Sequence, residues 1–194
     1  MLYDKNTKTY NFKDFALAYL SSARTNAQSY IEYAEKPQEY RWSGIDDYGA
    51  MGFIPAIWSF KHALECGVKF LKRMEGENIK KDHNLQNLVG ELKISSTELQ
   101  NMSDKWSKLS TLKELNNYRS NSQFGLINDQ NNQVFHYPYN ANGGFHAGLE
   151  RFDYIGFLYG DNEKIMIKIM KELQEDVYET AKIIGSLMSK SPNK

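Results

Sequence analysis

The sequence predicts an all-α protein, an up-and-down helical bundle that forms a single domain over residues 1–194. Apolar residues recur at intervals of three and four along most of the chain, which is the period of an amphipathic helix. Strand-like alternation is confined to residues 121–148, where two short runs predict an irregular, hairpin-like insertion. A chain of 194 residues is long enough to bury a sizeable core in one domain.

The first helix is predicted to begin near Asn11, whose side chain can cap it, and to continue toward Lys36. Pro37 ends it, because the residue before a proline avoids helical geometry. Small side chains on its inward face permit close contact with another helix. That face comprises Phe15, Tyr19, Ser22 or Ala23, Ala27, Tyr30, Ile31 and Ala34.

Residues 54–92 predict two adjoining helices at the centre of the bundle. Pro55 suits the first turn of the first one, where no backbone donor is required. A charged loop that carries Gly76 follows Arg73, and Asp82 can cap the second helix. The apolar faces comprise Ile57, Phe60, Leu64, Val68 and Leu71 in the first helix, and Leu85, Leu88, Val89 and Leu92 in the second.

Three more helices are predicted toward the C-terminal end. Ser95 and Glu98 form a capping box for a helix whose inward face begins at Leu99, Met102 and Trp106. A short apolar helix follows at 149–159. The last helix spans about 162–188, and its apolar residues cover so much of its circumference that we expect a central position or a homodimer interface. Its stripe comprises Ile165, Ile169, Leu173, Val177, Ala181, Ile184 and Met188, widened by Ile167 and Met170.

The central segment resembles the HEPN superfamily of small helical proteins. Its longer members carry a proline near a helix start, an apolar residue, Arg or Lys followed by His-Ala-Leu-Glu, a lysine four residues on, and a downstream His-Asp/Asn-Leu. These correspond to Pro55, Phe60, 61–65, Lys69 and 83–85. A second family-like phrase is Phe-His-Tyr-Pro at 135–138. The resemblance implies a helical bundle that works in a prokaryotic defence or toxin–antitoxin context.

Many HEPN proteins are metal-independent endoribonucleases, whose site resembles an arginine followed four to six residues later by a histidine. None of the five arginines of this chain precedes a histidine at that interval. We therefore expect a non-catalytic module that binds RNA, a nucleotide or a protein partner. Two alternatives stay open: a ribonuclease with a rearranged site, and a structural subunit that binds a partner protein.

The residues that carry the candidate site lie on the first central helix and near the insertion. An imidazole and cations on one cleft wall can engage a phosphate, whereas the alternative interpretation is a solvated helix surface with ion pairs at i,i+4. His83 is interpreted as a cap or loop residue. The catalytic candidates are His62, Glu65, Lys69 and His136, and the ligand-binding candidates are Lys61, His62, Lys69, Arg119, His136 and Tyr137.

The composition narrows the remaining function classes. The chain carries 24 Lys and Arg against 24 Asp and Glu, so no overall basic field predicts a nucleic-acid or membrane-surface protein. The single cysteine, Cys66, excludes an intrachain disulfide and a cysteine zinc site, and we expect a buried, inert thiol. No two histidines are spaced as metal ligands on one helix, and no cofactor motif is present. We expect no metal, no cofactor, no membrane contact and a cytoplasmic location.

Overall fold

The computed structural model of the chain describes residues 3–4, 9–36, 52–79, 82–94, 96–107 and 163–190. Within these ranges the chain is helical apart from turns and one short strand pair, which confirms the all-α prediction. The predicted insertion at 121–148 and the predicted helix at 149–159 lie outside the described residues. The five helices are α1 (Phe12–Ala34), α2 (Phe53–Met74), α3 (Leu85–Gly90), α4 (Thr97–Ser107) and α5 (Glu163–Lys190). The strands β1 (Tyr3–Asp4) and β2 (Thr9–Tyr10) pair antiparallel.

Helix α1 begins where the sequence predicted. The side-chain oxygen of Asn11 accepts the backbone N–H of Asp14 at 3.3 Å, which satisfies one of the donors that a helix start leaves unpaired. The helix ends at Ala34, and the backbone N–H of Glu35 closes its last turn on the carbonyl of Ile31. Most of the predicted inward face is buried, at Ala23, Ala27, Tyr30, Ile31 and Ala34. The predicted Phe15 and Tyr19 are half-buried, and Leu20, which was not predicted, is buried as well.

Helices α1 and α2 run antiparallel, as pairs of residues along their interface show. The ring of Tyr30 meets the ring of Phe53 edge to face at 5.9 Å, near the end of α1 and the start of α2. Earlier in α1, the hydroxyls of Ser22 and Ser59 lie 3.2 Å apart. The antiparallel arrangement therefore places the N-terminal turns of α1 beside the C-terminal half of α2.

Helix α5 packs against both α1 and α2 and completes the core. At Gly67 of α2, a Cβ atom would lie 2.4 Å from Cδ1 of Ile184, so the absence of a side chain allows the isoleucine to approach α2 closely. The buried side chains of α5 are Met166, Ile169, Met170, Leu173, Val177, Ile183, Ile184 and Leu187. They pack within the same chain, so their number gives no argument for a second copy. Ala181 is exposed, contrary to the predicted stripe.

Two helix caps differ from the sequence-based prediction by one or two residues. The N-cap of α3 is Asn84, whose side-chain oxygen accepts the backbone N–H of Asn87 at 3.1 Å. Asp82, the predicted cap, instead accepts the backbone N–H of Asn84 at 2.9 Å and shapes the turn before the helix. At the start of α4, the hydroxyl of Ser96 accepts the backbone N–H of Leu99 at 3.2 Å, while Ser95 lies outside the described residues.

A polar cluster fastens α4 to α5. Trp106 is fully buried, and its indole N–H donates to Oδ2 of Asp176 at 2.8 Å. Lys105 lies 2.5 Å from both Asp176 and Glu172. Burial alone would lower the pKa of Lys105, but hydrogen bonds to the two carboxylates outweigh it and raise that pKa. The cluster therefore fixes the position of α4 through one buried donor and one paired cation.

Candidate functional site

Three rings meet where the first turns of α1 cross α2. Trp58 and His62 are four residues apart on α2, so they lie on one side of that helix and stack at 4.5 Å with an interplanar angle of 28°. Tyr19 of α1 meets both rings edge on, at 5.6 Å from Trp58 and 5.2 Å from His62. Offset stacking and edge-to-face contacts are the arrangements that aromatic rings prefer, so the imidazole plane is held in place.

A cleft of about 220 Å³ opens beside these rings, between the first turns of α1 and the middle of α2. Phe15 extends the aromatic wall by stacking on Tyr19 at 6.3 Å. The wall is mostly apolar, and its polar contribution comes from one imidazole, one carboxyl, one thiol and one phenol. We call this space the ring cleft; its lining residues are Phe12, Phe15, Tyr19, His62, Glu65 and Cys66.

The carboxyl of the ring cleft belongs to a buried charged cluster. Oε1 of Glu65 accepts from Nζ of Lys69 at 2.6 Å and lies 2.9 Å from Nδ1 of His83. The side chains of Glu65 and Lys69 are only 6% and 8% exposed, whereas that of His83 is 55% exposed. Lys69 therefore compensates the charge of a carboxylate that is buried away from water. His83 links the loop before α3 to the middle of α2. We call these three residues the Glu65 cluster.

The other carboxylate oxygen of Glu65 has no such partner. Oε2 is buried, and no donor from the described residues reaches it within hydrogen-bond distance. A buried acceptor without a donor forfeits the hydrogen bonds it would make to water, so such an atom on a residue that lines a cleft points to a missing donor.

The two ionisable groups beside Glu65 are held in their neutral forms. The pKa of the Cys66 thiol is raised to about 12, chiefly by burial and also by the negative charge of Glu65, against the opposing effect of Lys69. Burial also raises the pKa of Tyr19, with the charges of Cys66 and Glu65 adding to the shift. A neutral thiol is a poor nucleophile, so we expect Cys66 to react slowly near neutral pH. The thiol is half-buried and lines the cleft, and is less enclosed than the sequence predicted.

The structure separates the predicted site residues into three groups. His62 lies at the ring cleft, half-buried, and Glu65 lines it as well. Lys61 is fully buried and Lys69 is 7% exposed, so the stripe of 61, 65 and 69 is an interior feature and not a solvated helix surface. Arg119, His136 and Tyr137 lie outside the described residues.

Several residues of the cleft are not among the site residues that the sequence predicted. Phe12, Phe15 and Tyr19 come from α1, and only the antiparallel pairing of α1 with α2 brings them beside His62. The spacing of Trp58 and His62 was a usable local signal, because residues four apart on a helix are neighbours. His83 was interpreted as a cap or loop residue, and it lies in the loop before α3. Its side chain contacts Glu65 and does not cap the helix, because Asn84 makes the capping contact.

Among the described residues, no group of three or more His, Cys, Asp or Glu side chains is placed to hold a metal ion. No helix in those same segments is long and apolar enough to cross a membrane. No family model, no curated protein and no solved structure matches this chain. The resemblance to HEPN proteins accordingly stands on the sequence motifs alone.

Proposed function

We propose that this protein is a HEPN-like, non-catalytic binding module, and that its ring cleft holds a base of RNA or of a nucleotide. The observation that carries the proposal is the ring cleft itself, a small aromatic space with a fixed imidazole on its wall. Every nucleobase has a flat apolar face, and stacking on aromatic side chains is how proteins bind unpaired bases. The prokaryotic defence or toxin–antitoxin setting that the motifs imply is part of the same proposal.

The chemistry of the cleft favours binding over cleavage. Cutting RNA requires a base for the ribose hydroxyl and a cation for the phosphate. Lys69 is bound to Glu65 and almost fully buried, and the thiol of Cys66 is neutral. No lysine or arginine stands among the described residues that line the ring cleft with His62.

The alternatives give different outcomes in one assay. A rearranged ribonuclease would cut the RNA with a site built from His62, Glu65, Lys69, Arg119 and His136. A structural subunit would bind a protein and ignore RNA. The homodimer remains a prediction that sedimentation velocity tests. Four residues of the predicted α5 stripe, Ile169, Leu173, Val177 and Ile184, are buried within the chain and give no argument for its interface.

The test is fluorescence anisotropy with a labelled single-stranded RNA octamer in chelator, followed by electrophoresis of the same samples. We expect binding that weakens with salt and leaves the RNA intact. Phe15→Ala should lower the affinity roughly tenfold, since stacking contributes about 1–3 kcal/mol per base. Tyr178→Ala is the matched control, because this ring is 51% exposed on α5 and does not line the cleft.

Three results would count against the proposal. The first is no binding to any octamer, and the second is equal affinity for wild type and Phe15→Ala. The third is cleavage in chelator that His62→Ala abolishes while circular dichroism shows an intact fold, which would establish the ribonuclease instead.

A further inference from the structure

The proposed function leaves Oε2 of Glu65 without a role. This oxygen belongs to a side chain that lines the ring cleft, it is buried, and none of the described residues donates to it. We infer that the ring cleft selects bases that carry an exocyclic amino group, with Oε2 of Glu65 as the acceptor for that group. This inference rests on the proposed function and adds the chemical class of base to it.

The hydrogen-bond capacity of the carboxylate supports an additional donor. An ionised carboxylate has about four acceptor positions on its two oxygens. Lys69 and His83 both contact Oε1, at 2.6 and 2.9 Å. The positions on Oε2 are the ones left open. A ligand N–H would therefore complete the carboxylate without displacing either existing partner.

The charge balance favours a neutral donor over a cation. Lys69 already compensates the negative charge of Glu65 from 2.6 Å, in a place where both side chains are buried. A cationic ligand would bring a second positive charge close to Lys69, and this repulsion would offset its attraction to Glu65. An amino group on a neutral ring donates a hydrogen bond to a charged acceptor and brings no net charge into the cleft.

The size and walls of the cleft favour a flat ring. Its volume of about 220 Å³ is below the roughly 300–1,000 Å³ typical of pockets for whole small molecules, so one ring system fits better than a complete nucleotide. Phe15, Tyr19 and His62 supply the ring contacts. Adenine, cytosine and guanine carry amino groups, whereas uracil presents a carbonyl where cytosine has its amino group. In that position the carbonyl oxygen of uracil would face Oε2 of Glu65. Both atoms are acceptors, so neither would receive a hydrogen bond.

The primary experiment uses the wild-type chain, so it does not depend on a variant that folds. RNA octamers of cytosine and uracil are compared by anisotropy, and octamers of adenine are compared with octamers of unsubstituted purine. Each pair has the same ring size and the same backbone charge. Adenine and purine differ only at the exocyclic position, whereas cytosine and uracil differ there and at N3, so the adenine and purine pair isolates the amino group. We expect the affinity for cytosine to exceed that for uracil, and the affinity for adenine to exceed that for purine, by roughly tenfold or more. One hydrogen bond to a charged acceptor has an effect of this size.

A variant tests the assigned atom. Glu65→Gln keeps the shape of the side chain, and the amide oxygen stays with Lys69 and His83, so the amide NH₂ takes the place of Oε2. This variant should reverse the preference and bind uracil better than cytosine. Glu179→Gln is the matched control on the surface of α5, where the side chain is 53% exposed, and should keep the wild-type order.

The outcomes separate this inference from the proposed function. If no octamer binds, both are overturned. If the octamers of each pair bind equally and Phe15→Ala weakens all of them, the proposed function is supported and the inference is overturned. If Glu65→Gln folds and keeps the wild-type preference, Oε2 is not the acceptor. If circular dichroism shows that Glu65→Gln does not fold, the affinities of the wild-type chain for the adenine and purine octamers test the inference. Equal affinities would overturn it.

Discussion

Nζ of Lys69 donates to Oε1 of Glu65 across 2.6 Å, and both side chains are more than nine-tenths buried. Residues four apart on a helix usually form such pairs in water, where they contribute little to stability. Here the pair lies inside the bundle, so each charge depends on the other for compensation. This pair supplies the carboxylate that stands among the described residues lining the ring cleft.

Removing one charge of this pair should destabilise the fold. We expect Lys69→Met to lower the free energy of unfolding by about 3 kcal/mol, because Glu65 would remain buried without its cation. The double variant Glu65→Gln/Lys69→Met should recover most of that loss. Urea unfolding measures both values. His83→Ala is the control and should cost less than about 1 kcal/mol, because His83 is 55% exposed. A loss below about 1 kcal/mol for Lys69→Met would contradict the buried pair.

The two glycines of the α2–α5 region should respond differently to alanine. At Gly185 no atom lies within 4 Å of an added Cβ, so Gly185→Ala should stabilise the chain by about 0.5–1 kcal/mol through its helix preference. At Gly67 the added Cβ would lie 2.4 Å from Cδ1 of Ile184, which must then shift. Gly67→Ala should therefore be destabilising relative to Gly185→Ala by about 1 kcal/mol or more.

Ile184→Val gives the matched test of this contact, because it removes the Cδ1 atom that an alanine at Gly67 would meet. In a double-mutant cycle measured by thermal unfolding, the change in free energy of unfolding caused by Gly67→Ala should be more favourable in the Ile184→Val background than in wild type. Additive changes would show that the close approach of α2 and α5 does not depend on this pair.

The thiol of Cys66 should react slowly in the folded protein. Its pKa of about 12 leaves roughly a thousandfold less thiolate at pH 8 than the ordinary value of 9.0 does. Labelling by a thiol reagent should therefore be slower by about that factor than in urea. A folded-state rate near that of the unfolded chain would contradict the raised pKa.

The same shift makes stability depend on alkaline pH. The pKa of Cys66 is raised in the folded chain, so the neutral thiol contributes fully to the free energy of unfolding below pH 9. That contribution is lost as the pH rises from 9 toward 12. Cys66→Ala should flatten the stability profile over that window. A profile that keeps its slope in the variant would assign the pH dependence to other groups.

Asp176 should be more important to stability than an exposed aspartate. Asp176→Ala removes the acceptor of the buried Trp106 indole and one of the two carboxylate partners of Lys105, and we expect the free energy of unfolding to fall by about 2–3 kcal/mol. Asp176→Asn keeps an oxygen for the indole and should lose less. Urea unfolding followed by tryptophan fluorescence measures the difference. Equal losses for the two variants would show that the indole bond contributes nothing beyond the charge.

Local patterns were sufficient to predict most of the described fold. The cap at Asn11 and the buried faces of α1 and α2 follow from spacing and cap chemistry, which act within a few residues. The burial of Lys61 and Lys69 could not be predicted in this way, because a charged residue on a helix is usually exposed. The partner of His83 is 18 residues away, and no periodic pattern indicates a contact at that separation.

The candidate site depended more strongly on tertiary structure. His62 and Glu65 were identified from one helix, but the rings that enclose the cleft come from α1. Tyr19 and His62 are brought together by the antiparallel crossing of two helices that the sequence places in no particular register. Helix existence was therefore predictable, while the composition of the cleft required the three-dimensional arrangement.

The order in which the core is assembled has a consequence for synthesis of the protein. Helices α1 and α2 leave the ribosome long before α5, which supplies Leu173, Val177 and Ile184 to the same core. Until α5 emerges, a nascent chain displays the apolar seam that α5 later covers, and such surfaces attract chaperones and other nascent chains. A stalled translation product that lacks α5 should accordingly be a chaperone client, whereas the completed chain should be released.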